Sequence, residues 1–126
     1  MKTILLILAA CAAMGSGQPD FSAVINTIKS GKSASIAPYL ANEVEITIAG
    51  TDGTYSRTEA LTALQNFYNQ HKPTNCSMVH NGVAKDQEAH YCIGKLEAGG
   101  KNYRLYIYFK KTGEQYLIQE MRIEDN

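Results

Sequence analysis

The sequence predicts an α+β domain: three N-terminal helices packed on a curved, mainly antiparallel sheet. Three patterns carry that expectation. Apolar residues recur at helical spacing early in the chain, period-two alternation replaces them after Pro73, and turn-forming clusters cut the second part into four strands. Helices that precede a run of strands segregate to one face of the sheet.

Pro19 and Asp20 open the first helix, because Pro suits the first helical turn and an acidic side chain favours its positive end. Phe21, Val24, Ile25 and Ile28 make one apolar stripe, and Gly31 ends it. A shorter second helix is expected from about Ser35, with Ile36, Tyr39 and Leu40 inward. Glu43 to Ile48 alternates strictly and reads as a half-buried strand with Val44, Ile46 and Ile48 inside. Gly50-Thr51-Asp52-Gly53 has turn chemistry. Ser56-Arg57-Thr58-Glu59 is a capping box that starts a third helix, with Leu61, Leu64, Phe67 and Tyr68 on its buried stripe. Lys72-Pro73 stops that helix.

Strands follow at about Asn75–Val83, His90–Leu96, Asn102–Lys110 and Gln115–Glu124, in an antiparallel meander. For the last hairpin, a three-residue loop with Gly113 in a left-handed bulge pairs Lys110 with Glu114, Ile107 with Leu117 and Arg104 with Glu120. In that register Leu117 joins Tyr103, Leu105, Ile107, Phe109, Met121 and Ile123 in the core. Tyr106, Tyr108, Tyr116 and Ile118 then share the outer face.

Residues 1–17 read as an export signal: Lys2, an uncharged apolar run from Ile4 to Ala13, then small residues at Ala13, Gly15 and Gly17. The run is too short to span a bilayer. Leu8-Ala9-Ala10-Cys11 also has the form of a bacterial lipobox, so anchoring through a lipidated Cys11 is the alternative to release as a periplasmic or secreted protein. Residues 18–126 then form one domain, large enough to bury a core without disulfide staples. Zero formal net charge with scattered signs excludes a polyanion-binding stripe, so no nucleic-acid partner is expected. Cys76 and Cys92 match no zinc spacing, so no metal or other cofactor is expected. With Cys92 placed opposite Asn81, five positions from Cys76 and on the other face, no disulfide is expected between them.

Several motifs resemble a known family. His80-Asn81-Gly82, Tyr91-Cys92-Ile93-Gly94, Tyr103-Arg104-Leu105-Tyr106 and Leu117-Ile118-Gln119-Glu120-Met121-Arg122-Ile123-Glu124 are similar to a family of small exported bacterial proteins of unknown function. That family lies within the nuclear transport factor 2-like superfamily, and the resemblance implies its cone of curved sheet closed by helices. It implies no activity, because the superfamily holds enzymes and non-catalytic binding modules alike.

Superfamily enzymes use a carboxylate inside the cone, where shelter tunes it for acid-base work. Here Asp20, Asp52, Asp86 and Asp125 fall at turns or ends, and Glu43, Glu45 and Glu120 at outward strand positions, so no catalytic residue is assigned. His80, Tyr91, Tyr103 and Gln119 are the candidate inward polar groups, able to line a pocket for a small apolar ligand. His71 and His90, at element ends, are expected in solvent. Tyr106, Tyr108, Tyr116 and Ile118 are the candidate homodimer interface. The functional expectation is an exported, non-catalytic binding or interaction module; the alternative is a small-molecule enzyme or ligand carrier using the cone pocket.

Overall fold

The computed structural model describes residues 17–84 and 88–126. Residues 1–16, which include Cys11 and most of the expected export signal, and residues 85–87, which include Asp86, lie outside the described residues. The elements run α1 (Phe21–Ser30), a 3-10 helix (Ser33–Tyr39), β1 (Leu40–Ile48), β2 (Thr51–Ser56), α2 (Arg57–Gln70), β3 (Pro73–Val83), β4 (Ala89–Ala98), β5 (Lys101–Thr112) and β6 (Gln115–Asp125). One mixed sheet has the order β2-β1-β6-β5-β4-β3. β1 runs parallel to β6 and every other pair is antiparallel.

The helices form where their ends are satisfied. Asp20 accepts a hydrogen bond from the Ala23 amide at 3.1 Å, and Gly31 closes α1 in the left-handed conformation. At α2 the capping box is complete: the Glu59 amide donates to Ser56 Oγ at 3.2 Å, and the Ser56 amide donates to Glu59 Oε1 at 2.9 Å. The second helix is a 3-10 helix, with Pro38 inside it. Among the described residues there are two α-helices and the 3-10 helix, and they do not precede the sheet together, because the β1–β2 hairpin stands between the 3-10 helix and α2. Ala49 and Gly50, both at positive φ, make the hairpin turn. Thr51, Asp52 and Gly53, expected in the turn, therefore belong to β2 and pair with β1, and the turn itself lies earlier, at Ala49-Gly50.

The core sits between the concave face of the sheet and the helices. Val24, Ile28, Ile36, Leu40, Val44 and Leu64 come from the helical side and β1. Leu96, Leu105, Ile107, Phe109, Met121 and Ile123 come from the later strands. Gly94 is needed where β3 crosses close to β4: a Cβ there would lie 2.8 Å from the Ser77 carbonyl oxygen.

The last hairpin corrects the expected register. Thr112 pairs with Gln115 across a tight Gly113-Glu114 turn, and Lys110 pairs with Leu117 rather than Glu114. The extra residue lies further on, at Gln119, between the Phe109–Ile118 and Tyr108–Glu120 pairs. Before the bulge the face of β6 is inverted relative to expectation. Ile118 is fully buried and Leu117 only half-buried, whereas beyond it Met121 and Ile123 point inward as expected.

Candidate functional site

The four expected pocket residues do not converge. His80 is exposed and Tyr91 half-buried on the convex face, where His80 Nε2 and the Tyr91 hydroxyl lie 3.0 Å apart. Gly82, beneath the Tyr91 ring, leaves room for it. Gln119 occupies the bulge of β6, half-buried. Tyr103 alone points into the core, 2% exposed. Its hydroxyl lies 3.3 Å from Nδ1 of His71, and its ring meets Phe67 edge-on at 5.3 Å.

The candidate interface divides in the same way. Tyr106 and Tyr108 lie outside, alternating with buried Leu105, Ile107 and Phe109. Tyr116 and Ile118 lie on the inner side. The Tyr116 hydroxyl donates to the Gly17 carbonyl at 3.0 Å, and its ring meets His90 edge-on at 4.9 Å. The outer cluster instead gains Tyr91, stacked on Tyr106 at 6.4 Å and 22°. Arg122 lies over the Tyr106 ring at 5.9 Å while donating to Glu120 Oε2 at 2.8 Å. Partial burial raises the Tyr106 pKa, helped by the Glu120 carboxylate.

Two histidines expected in solvent are not there. His90 is buried, 5% exposed, and its Nε2 has no hydrogen-bond partner. Its strand begins one residue earlier than the sequence suggests, which moves His90 from an end to an inward position under Phe21 and Tyr116. His71 caps α2 half-buried, its ring tilted by 30° against Phe67 at 5.0 Å. A Phe67/His71 pair one turn apart near a helix end was the sequence signal for this contact.

Two clefts open beside the core. The larger, about 880 Å³, lies at the α1 end among Phe21, Tyr39, Met78, Asn81 and Tyr116. The smaller, about 410 Å³, lies at the opposite end, between α2 and the ends of β1, β5 and β6. Tyr103 and His71 line the smaller one.

Residues 21–124 match the family model described as a domain of unknown function, DUF4783. The chain belongs to the DUF4783 family. A DUF4783 protein from Bacteroides ovatus is 28% identical, with a TM-score of 0.79, over 89% of this chain and 98% of that one. One from Bacteroides uniformis is 27% identical, with a TM-score of 0.78, over 83% and 95%. An NTF2-like protein from Cytophaga hutchinsonii, 10% identical with a TM-score of 0.62 over 83% and 91%, shares the fold. No curated protein matches the sequence. The expected nuclear transport factor 2-like fold is therefore present, and the family is one of unknown function, as expected.

In this DUF4783 chain Cys76 and Cys92 share the buried face, because the bulge between Met78 and His80 shifts β3 by one residue. The expected pairing of Cys92 with Asn81 is present; the opposite-face expectation is corrected. Cys76 lies opposite Leu96, so along β4 the two cysteines stand about 13 Å apart, at about 3.3 Å per residue, too far for a bridge. Burial pushes the Cys76 thiol up to about 11 and the Cys92 thiol up to about 12. Nearby Lys29 partly offsets the first shift, and Cys76 adds to the second. Titration without reductant should find the thiols of both Cys76 and Cys92 after denaturation and almost neither before. Two unreactive sulfurs in a denatured monomer would contradict the register. Because both folded pKa values lie above the unfolded value, the thiols stabilise the fold fully below about pH 8.5 and progressively less as pH rises toward 11 and 12. The urea midpoint should fall over that alkaline range.

Proposed function

We propose that this DUF4783 protein is an exported, non-catalytic binding module that pairs with a second copy through the convex face of its sheet. The observation that carries the reading is the Tyr91–Tyr106–Tyr108 cluster on a face that the helices leave uncovered, since α1 and α2 both pack from the concave side. The charges around it are divided. Lys95, Arg104 and Lys110 lie on the β4–β5 side, and Glu43, Glu45, Glu120 and Glu124 on the β1–β6 side. Glu97 and Arg122 are the exceptions, held by Lys95 at 3.9 Å and by Glu120 at 2.8 Å. A two-fold axis along the strands between β5 and β6 lays the basic half of one copy over the acidic half of the other.

Against catalysis stands the placement of the carboxylates. Among the described residues the buried polar or charged side chains are Ser33 and His90, so no Asp or Glu is sheltered enough to be tuned as an acid or base. Sedimentation velocity at tens of micromolar tests the module: a dimer that weakens as salt rises is expected, and a monomer at low salt overturns it.

Export rests on the N-terminal sequence. Cleavage is expected near Gly15 or Gly17, and the Tyr116–Gly17 bond supports a cut that keeps Gly17. The intact mass of the mature protein decides this, and a diacylated Cys11 would replace release with anchoring.

A further inference from the structure

The cleft at the α2 end holds an arrangement that the fold does not need. Its floor is the ring of Tyr103, almost wholly buried, with the hydroxyl turned to His71 Nδ1 at 3.3 Å. Ile46, Ile48 and Phe67 supply apolar wall. Above the floor Lys101 Nζ stands 5.6 Å from the Tyr103 centroid and 3.6 Å from Asp125 Oδ1. Both charged side chains are more than half exposed, at 57% and 66%, so the pair contributes little to stability and either member is free to turn to another partner. A cation and an anion side by side over an apolar, aromatic floor complement a ligand that carries both charges on one carbon and an apolar group behind them.

We propose that this cleft binds a free α-amino acid with an aromatic or branched side chain, its carboxylate on Lys101, its ammonium on Asp125 and its side chain against the half-buried Ile48 and Tyr55, above Phe67 and Tyr103. A simple carboxylic acid would leave Asp125 beside its own negative charge, and a simple amine would leave Lys101 beside its positive one. The Asn66 and Gln70 amides on α2 stand at the same rim, able to bond the carboxylate oxygens without adding charge. The volume of about 410 Å³ lies within the range of small-molecule sites. The cleft opens on the opposite side of the sheet from the tyrosine cluster, so this site and self-association through that cluster stand or fall separately.

The test is an amide-shift titration of the isotopically labelled mature protein with L-phenylalanine, beside 3-phenylpropionate, which lacks the ammonium, and phenethylamine, which lacks the carboxylate. Saturable shifts are expected at Ala49, Asn66, His71 and Lys101 with L-phenylalanine, and about tenfold weaker binding of each analogue, the size of one charge-assisted hydrogen bond. Lys101→Met and Asp125→Asn, both at exposed positions, should each weaken L-phenylalanine by a similar factor while the thermal midpoint holds. Equal binding of all three compounds, shifts confined to the α1-end cleft, or no saturable shift up to ~10 mM, where even a millimolar complex would show, each overturns the proposal.

Discussion

Replacing Tyr106 and Tyr108 together by Lys is expected to turn a dimer into a folded monomer. Both side chains lie on the convex face of β5, alternating with Leu105, Ile107 and Phe109, so the change leaves the core untouched. In the dimer it takes two cations out of water at the centre of the contact, where the desolvation penalty is several kcal/mol per ion. It also removes the apolar area of two tyrosines, which are among the residues that carry most of an interface's energy. Circular dichroism and the urea midpoint should stay close to wild type, while sedimentation shifts fully to monomer at tens of micromolar. A second variant separates shape from charge: Tyr106→Ala with Tyr108→Ala should weaken association about a hundredfold, as expected for two central anchors. If both variants sediment as the wild type does, the convex face is not the contact.

What the sequence disclosed follows from how local each determinant is. The Ser56/Glu59 capping box, the apolar stripe of α1 and the alternation of β1 depend on neighbours within one turn or one pleat, and each is present as read. The 3-10 geometry around Pro38 was harder, because one short turn with a proline suits either helix type. β2 was missed because Thr51-Asp52-Gly53 carries turn residues; it is a strand through pairing with β1, and that tertiary contact leaves no period in the sequence. The bulges at Val79 and Gln119 decided the sites. Each changes which face a residue occupies, and nothing in the side chains of Met78-Val79-His80 or Ile118-Gln119-Glu120 marks an extra residue. That is why the sequence alone places His80 inward and Ile118 outward, and Cys76 and Cys92 on opposite faces.

Ile118 gives the sharpest test of that register and the largest expected loss of stability. It is fully buried, paired with Phe109 on β5 and with Leu40 on β1, whereas Leu117 beside it is half-buried opposite Lys110. Ile118→Ala should therefore cost about 2–5 kcal/mol through lost burial and a residual cavity, and Leu117→Ala about 1 kcal/mol or less. Ile118→Lys places an unpaired charge between two central strands, where several kcal/mol is a large fraction of the 5–15 kcal/mol that holds a typical domain together. That variant should be largely unfolded at 25 °C by circular dichroism. The three-residue Gly113 loop makes the reverse prediction, with Leu117 the costly position and Ile118→Lys harmless to the fold. The order of the two alanine midpoints thus distinguishes the registers even if Ile118→Lys cannot be purified. With Ile118 committed to the core, it is unavailable to an interface, which leaves Tyr91, Tyr106 and Tyr108 to carry self-association.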